Sequence, residues 1–407
     1  MSAVDTRPRP PDDRRPDGQR PDGQRPDGQL PHGHRPDDRR PHDRRPHDRR
    51  PHDRRPDDRR PDDRRPDDGA GGPERIALLL PGQGAQRPAM AHGLYGTEPA
   101  FTEAVDEVFA LLGAEGARIR ADWAADTPAV PLDHVSRAQP LLFAVDYALG
   151  RTLYARGLRP AALLGHSAGE TVAAVLAGVL DLGDAVRLLA ERVRLLAQAP
   201  PGGMLAVAAS PRQVAHRLTD QVVVGAVNSP TQLLLAGPEP ELGAVADALR
   251  ADGLTCARAR ATTGFHSPSV RAACAAQIPS FRAVTLRPPR IPIVSGYTAR
   301  PLTDAEATDP VFWALQPAEP VLFAAALDRL LADGPYHLVE AGPGQSLSAL
   351  ARRHPGVTRG GSRVTALLAA RPRGPEDDRA ALRAALERLA PPAAGSTRDR
   401  SRLEAGA

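Results

Sequence analysis

Short apolar runs alternate along this chain with longer segments in which apolar residues recur at helical spacing. Residues 75–80 and 161–164 are brief aliphatic runs, which is typical of strands that are buried on both faces. Residues 100–112 and 139–151 instead place their apolar side chains on one face of a helix. The alternation predicts an α/β fold with a parallel sheet that helices cover on both sides.

The pattern changes between residues 203 and 264. Here it predicts strand, helix, strand, strand, helix and strand, over residues 204–209, 211–218, 222–227, 232–236, 240–251 and 255–261. This order is the split βαβ arrangement, so we expect a small lobe inserted in the larger α/β unit. The larger unit then resumes, with strands at 292–295 and 336–339 and helices at 321–332 and 377–389.

Proline recurs every fifth residue from Pro11 to Pro66. This segment has almost no apolar side chains to bury, so we expect a disordered tail over residues 1–72 that acts as a spacer. A partner-docking arm, a weak metal contact through its histidines and a misassigned translation start are alternatives. The other predicted units are a large subdomain in two parts, a small subdomain between them and a flexible terminus, over residues 73–202, 265–390, 203–264 and 391–407.

Composition narrows the classes of function. Of 407 residues, 41% are hydrophobic, which is enough for a large aliphatic core. The formal charge is only +4 and the two signs are closely mixed, so no nucleic-acid-binding face is indicated. No apolar run is long enough to span a membrane, and Cys256 and Cys274 suit neither a disulfide framework nor a metal site. We therefore expect a cytoplasmic protein with no metal, membrane or nucleic-acid partner.

The clearest chemical signal is Gly165-His166-Ser167-Ala168-Gly169-Glu170, between a predicted strand and a predicted helix. A serine in this context is typical of a nucleophile elbow, where flanking glycines avoid collisions that a Cβ would cause. Backbone N–H groups at the start of the following helix are suited to stabilise an oxyanion. An ordinary glycine turn is the alternative.

A serine hydroxyl needs a base to accept its proton, so a histidine is expected nearby in space. His266, within Gly264-Phe265-His266-Ser267, stands where the small lobe rejoins the large one. Such a junction lines a cleft between lobes. A surface or packing role beside a proline turn is the alternative for this histidine.

Four motifs together carry a family resemblance. They are Pro81-Gly82-Gln83-Gly84-Ala85-Gln86, Gly165-His166-Ser167-Ala168-Gly169-Glu170, Gly264-Phe265-His266-Ser267 and Gly342-Pro343-Gly344. In this order, and over about residues 75–368, the chain resembles malonyl-CoA:acyl-carrier-protein transacylases and the acyltransferase domains of polyketide synthases. The resemblance implies a hydrolase-like large subdomain with a parallel sheet, an inserted ferredoxin-like small subdomain and an active site between them.

The resemblance also implies roles by position. Ser167 resembles the acylated nucleophile and His266 its base. The backbone N–H groups of Ala168 and Gln83 resemble the donors of the oxyanion hole.

The resemblance also assigns supporting roles to residues other than the nucleophile, its base and the oxyanion-hole donors. The backbone carbonyl of Gln316 resembles the one that orients the histidine, with the carboxylate of Asp309 as an alternative. Asn228 and Gln139 fall in stretches that resemble family motifs, and we expect them to hold active-site loops in place.

Acyl-group choice follows from the same resemblance. Arg192 aligns with the arginine that binds the free carboxylate of a malonyl-type group, a task that suits the planar guanidinium. A solvated charge on a helix face is the alternative. Phe265 and the small residue Ala168 resemble versions that select malonyl over methylmalonyl groups.

These features predict a ping-pong acyltransferase. We expect it to move a malonyl-type group from acyl-CoA to an acyl carrier protein, without a cofactor, as a monomer acting in trans. The pathway, fatty acid or polyketide, stays open. An acyl hydrolase that edits carrier proteins and a non-catalytic carrier-docking module are the alternatives.

Overall fold

The computed structural model describes residues 75–390. The repeat tail predicted over residues 1–72 and the flexible end predicted over 391–407 lie outside the described residues. Within residues 75–390, no helix has the length and apolar character that are needed to cross a lipid bilayer.

Helices and strands alternate through most of the described chain. The strands are β1 Ile76–Leu80, β2 Ala162–Gly165, β3 Gly202–Val207, β4 Val223–Ser229, β5 Gln232–Pro238, β6 Cys256–Arg258, β7 Val294–Ser295, β8 Arg300–Pro301, β9 His337–Glu340 and β10 Arg363–Ala366. The α-helices are α1 Pro99–Leu111, α2 Ala114–Ala124, α3 Val135–Ala155, α4 Gly169–Leu176, α5 Leu182–Leu196, α6 Pro211–Val214, α7 Glu241–Ala251, α8 Arg271–Ala275, α9 Ile278–Arg282, α10 Asp304–Ala307, α11 Pro310–Leu315, α12 Phe323–Leu331, α13 Ser346–Ala351, α14 Pro355–Thr358 and α15 Pro375–Leu389. Short 3-10 turns occupy His92–Leu94, Ala215–Arg217, Pro268–Val270 and Gln316–Ala318.

The larger sheet is parallel, with the strand order β10-β9-β1-β2. At its centre, Leu78 of β1 pairs with Leu163 of β2 on one side and with Val339 of β9 on the other. Leu78 belongs to the apolar cluster that includes α3, whereas Leu79 belongs to the cluster that includes α12. Helices therefore cover both faces, which explains why these strands are continuously aliphatic. The predicted parallel α/β sheet is confirmed.

The smaller sheet is antiparallel, with the strand order β4-β5-β3-β6. It has its own apolar core, in which Leu235 of β5 and Leu242 of α7 are fully buried. A backbone bridge between Ala226 of β4 and Val321 ties this sheet to the segment that precedes α12. The predicted fold class, an α/β unit with a second and smaller sheet, is confirmed.

Several elements differ from the sequence pattern. The last strand of the small sheet was expected over residues 255–261 but covers only Cys256–Arg258, although isolated contacts such as the Ala259 N–H to the Met204 carbonyl continue beyond it. The helix expected at 321–332 begins at Phe323, since Val321 forms the bridge to Ala226. Helix α2 was not predicted, because its apolar residues other than the buried Ile119 and Trp123 are small alanines, which give a weak pattern.

The close contact between α4 and β1 can be tested by Gly169→Ala. A Cβ at this position would lie 2.1 Å from the carbonyl oxygen of Leu80. We expect the free energy of unfolding to fall by about 1–3 kcal/mol in urea titrations, because the packed backbone has to move apart.

The matched control is Gly243→Ala in helix α7, where the nearest atom would be 3.5 Å away. Alanine there should raise stability by about 0.5–1 kcal/mol, because it restricts the unfolded chain without a clash. If both variants changed stability by the same amount, the tight approach at Gly169 would be refuted.

Candidate active site

Ser167 occupies a sharp turn between strand β2 and helix α4. Its φ of 54° lies in the left-handed region, which is unfavourable for a serine. Neighbouring glycines make room for the turn. A Cβ on Gly165 would lie 2.3 Å from the backbone of Glu170, and one on Gly82 would lie 2.5 Å from the carbonyl oxygen of His166. The turn is therefore specified by close backbone packing.

His266 contacts this serine from the segment that follows the small sheet. Its Nε2 lies 2.7 Å from Ser167 Oγ, and its Nδ1 lies 2.7 Å from the carbonyl oxygen of Glu319. Because a carbonyl only accepts, Nδ1 carries the proton and Nε2 accepts a hydrogen bond from the serine hydroxyl. The φ of His266 is 60°, and its own N–H donates to the carbonyl of Pro317 at 2.7 Å.

The carbonyl that orients His266 is not the predicted one. We expected Gln316, but the acceptor at Nδ1 is Glu319, three residues later. Of the groups that affect the pKa of His266, the Gln316 backbone has the smallest effect. The Gln316 carbonyl instead accepts the N–H of Glu319 at 3.1 Å. After this 3-10 turn, the Glu319 carbonyl is the one that meets Nδ1. Asp309, the alternative, instead accepts the N–H of Val311 at the start of α11.

Burial keeps the imidazole neutral. It lowers the pKa of His266 to about 4, and the Glu319 carbonyl opposes this shift only in part. The neutral form is the one that can accept a proton. Tyr297 lies beside His266, with the ring centroids 6.1 Å apart. Burial and the charge of Glu170 raise the pKa of the Tyr297 phenol, so that it stays protonated.

Two backbone amides flank the serine, those of Gln83 and Ala168. In the part of the chain that the structure describes, neither N–H donates to a protein acceptor. The Gln83 side chain is held by two contacts: its Oε1 accepts from Gln139 Nε2 at 3.2 Å and its Nε2 donates to the Asp133 carbonyl at 3.3 Å. The turn after β1 is thus fixed next to the elbow, with both amides available to an incoming oxygen.

Other predicted residues line the same cleft. Asn228 Oδ1 accepts from His166 Nε2 at 2.8 Å, so strand β4 holds the residue that precedes Ser167. Phe265 is buried and also lines the cleft. The cleft has a volume of about 420 Å³ and runs past Ser167 and His266.

Glu170 is a buried carboxyl group that we did not assign a role from the sequence. It accepts hydrogen bonds from Ser295 Oγ at 2.7 Å, Gly296 N–H at 2.7 Å and Gln316 Nε2 at 3.2 Å. Burial raises the pKa of Glu170 to about 7 in spite of these donors. The residue ties helix α4 to the turn that orients His266. Its place in the hexapeptide was the only sequence signal.

Arg192 lies in helix α5 and is only 7% exposed, so the alternative of a solvated surface charge is wrong. Its guanidinium donates to Gln277 Oε1 at 3.3 Å, Thr171 Oγ1 at 3.3 Å and the Trp313 carbonyl at 3.2 Å. Among residues 75–390, no carboxylate lies within salt-bridge distance of it. The group does not line the main cleft but a small cavity behind it, which Gln139 also lines. Burial lowers the pKa of Arg192.

No cluster of three or more histidine, cysteine, aspartate or glutamate side chains in the described region is arranged to hold a metal ion. The cluster at the cleft is instead a serine, a neutral histidine and unpaired backbone donors. Such a set can accept a proton, form an ester at Ser167 Oγ and stabilise the charge on a tetrahedral intermediate.

Comparison with known proteins agrees with this chemistry. The sequence profile of the acyl transferase domain matches residues 78–370. One component of the phenolphthiocerol/phthiocerol polyketide synthase of Mycobacterium tuberculosis is 40% identical over 283 residues, which is 69% of this chain but only 19% of that protein. The chain thus spans about a fifth of the length of this relative.

Two solved structures share the fold. The acyl transferase domain of SpnD, in complex with 2-(pent-4-yn-1-yl)malonyl, is 34% identical with a TM-score of 0.72, covering 79% of this chain and 77% of that one. The malonyl CoA-acyl carrier protein transacylase of Burkholderia pseudomallei is 28% identical with a TM-score of 0.62, covering 69% of this chain and 99% of that one. The chain belongs to the acyl transferase domain family and is an acyltransferase.

Proposed function

We propose that this acyltransferase moves a malonyl-type acyl group from coenzyme A to the phosphopantetheine thiol of an acyl carrier protein, through an ester on Ser167. The observation that carries the proposal is the 2.7 Å contact between Ser167 Oγ and His266 Nε2. That distance suits transfer of the hydroxyl proton to a base that is neutral at ordinary pH.

The first half-reaction follows from these contacts. Ser167 Oγ attacks the thioester carbon while its proton passes to His266 Nε2, and the carbonyl oxygen becomes an oxyanion. The N–H groups of Gln83 and Ala168 stabilise that charge. The carbon–sulfur bond then breaks, and the departing thiolate of coenzyme A takes the proton from His266.

The second half-reaction is the reverse with another thiol. The carrier's phosphopantetheine thiol gives its proton to His266, and its sulfur attacks the ester carbon. Ser167 leaves and recovers the proton. The Glu319 carbonyl stabilises the imidazolium in both halves through the Nδ1–H hydrogen bond.

The charge of Arg192 is the basis for proposing an acyl group that carries a free carboxylate. Among residues 75–390 this buried guanidinium has no carboxylate partner, which is costly, and a substrate carboxylate that reaches it past Gln139, which lines both the cleft and the small cavity, would offset part of that cost. Phe265 beside the histidine narrows the cleft and favours malonyl over bulkier α-branched groups. Similarity to a malonyl CoA-acyl carrier protein transacylase supports the same substrate class.

Intact-protein mass spectrometry tests the acyl-enzyme. Incubation with malonyl-CoA should add one malonyl group, which peptide mapping assigns to Ser167, and a carrier protein should then remove it as malonyl-carrier. Ser167→Ala should take up no acyl group, and His266→Ala should acylate at least about 100-fold more slowly, because general-base catalysis is lost. Free malonate as the main product would favour the editing hydrolase instead.

Arg192→Ala tests the acyl selectivity. The rate of malonyl transfer should fall about 100-fold, because the acyl carboxylate would lose its partner, while acetyl transfer should be kept or rise. The matched control is Arg194→Ala, two residues along the same helix and exposed, which should leave both rates unchanged. Equal losses for both acyl groups would show that Arg192 does not bind the carboxylate.

The proton state of His266 can be followed by NMR. With a pKa of about 4, its imidazole should stay neutral, with the proton on Nδ1, at pH values where exposed histidines titrate near about 6.5. Because the folded pKa lies below the unfolded one, the associated stability is full above about pH 6.5 and is lost as the pH falls toward 4. A His266→Gln spectrum identifies the signal, and a midpoint near 6.5 would contradict the buried neutral base.

A further inference from the structure

The turn after strand β7 packs directly on the backbone around Ser167. The N–H of Gly296 donates to Glu170 Oε2 at 2.7 Å, and a Cβ on Gly296 would lie 2.9 Å from the carbonyl oxygen of Gly165. Gly165 ends strand β2 and Glu170 lies in the first turn of helix α4, on either side of the serine. The residue that follows Gly296 therefore starts close to the nucleophile.

That residue is Tyr297, and both its backbone and its ring are held. Its N–H donates to Ser295 Oγ at 3.1 Å, and Ser295 Oγ in turn donates to Glu170 Oε1 at 2.7 Å. Its ring lies beside the His266 imidazole, with the centroids 6.1 Å apart and the planes at 44°. Since the same imidazole contacts Ser167 Oγ at 2.7 Å, the tyrosine ring lies against the catalytic pair.

Tyr297 approaches this pair from outside the main cleft. Ser167 and His266 both line the cleft, whereas Tyr297 does not. A thioester that enters along the cleft therefore does not have to displace the phenol. The side chain is placed to act on the catalytic pair itself.

Ser167 Oγ can accept a hydrogen bond in addition to the one that it donates. Its own proton is donated to His266 Nε2, because the neutral imidazole carries its proton on Nδ1. The Tyr297 phenol also keeps its proton, since burial raises its pKa and the charge of Glu170 adds to the rise. The charge of Arg192 and a hydrogen bond with Ser167 oppose that rise in pKa, which places the phenol within reach of the serine hydroxyl.

We propose that Tyr297 is a further catalytic residue, whose hydroxyl donates a hydrogen bond to Ser167 Oγ when negative charge develops on that oxygen. This inference rests on the proposed function for its reaction. When Ser167 attacks the thioester, its proton moves to His266 as the carbon–oxygen bond forms, and when a carrier thiol attacks the ester, the same bond breaks. A donor at Oγ thus stabilises the transition states of both half-reactions more than the ground states.

Tyr297→Phe tests this hydrogen bond, because it removes the hydroxyl and keeps the ring against His266. The rate constants for acylation of Ser167 by malonyl-CoA and by acetyl-CoA should both fall about 10-fold, as expected for loss of a hydrogen bond to a charged oxygen. Transfer from malonyl-Ser167 to a holo carrier protein should fall by a similar factor. Unchanged rates would overturn the proposal. So would a loss confined to malonyl transfer, because the phenol would then act on the acyl carboxylate beside Arg192.

Tyr154→Phe is the matched control. Tyr154 is also partly buried, and its hydroxyl donates to the Leu176 carbonyl at 3.3 Å, outside the lining of the cleft. Loss of this hydroxyl should leave all of these rate constants unchanged. If Tyr154→Phe slowed the reactions as strongly as Tyr297→Phe, loss of any buried hydroxyl would explain the effect and the proposal would fail.

The NMR signal of His266 distinguishes a direct hydrogen bond to the serine from support of the base. In Tyr297→Phe the imidazole should keep its proton on Nδ1 and its pKa of about 4, because its burial and its contact with the Glu319 carbonyl remain. A titration midpoint that moved together with the rates would contradict a direct role, because the phenol would then act through the imidazole.

A fluorophosphonate probe separates this inference from the proposed function. Ser167 Oγ attacks the phosphorus, its proton passes to His266 and fluoride leaves, so the probe reports on the nucleophile without an acyl donor. Tyr297→Phe should slow this labelling about 10-fold as well. Equal labelling of the variant and the unaltered protein would overturn the role of Tyr297. If labelling were slowed but no acyl-CoA acylated the unaltered protein, the proposed function would be refuted while the hydrogen bond to Ser167 would stand.

Discussion

The site depends on one hydrogen bond, from Ser167 Oγ to His266 Nε2, between residues that both sit in left-handed backbone conformations. Such a conformation costs about 1–3 kcal/mol for a residue other than glycine. At Ser167 the surrounding backbone is packed so closely that a Cβ on Gly165 or Gly82 would collide. At His266 the N–H is held by the Pro317 carbonyl. Packing of the whole fold therefore maintains a geometry that the two residues would not adopt alone.

Orientation of the base by a carbonyl has an electrostatic effect. A carboxylate beside the imidazole would raise its pKa, whereas the neutral Glu319 carbonyl opposes the effect of burial only in part. The histidine thus stays unprotonated and ready to accept a proton. The buried carboxyl group of Glu170 accepts a hydrogen bond from the Gln316 side chain and so holds the 3-10 turn in place. It does not take the place of the Glu319 carbonyl at His266.

Much of the fold could be predicted, because buried parallel strands such as β1 read as continuous aliphatic runs. Ser167 and His266 could be singled out because glycine spacing and side-chain chemistry mark them. Glu319 could not, since any residue supplies the same carbonyl, and only the 3-10 turn at Gln316 decides which one meets the imidazole.

The charge of Arg192 would give the free enzyme and the acyl-enzyme different internal energies. Without cargo, this buried positive charge donates to neutral acceptors, and residues 75–390 place no carboxylate within salt-bridge distance of it. Under the proposed function, an acyl group that ends in a carboxylate would be the missing counter-ion as well as the cargo. The acyl-enzyme would then have a lower internal energy than the free enzyme, and it would persist until a carrier protein reaches it by diffusion.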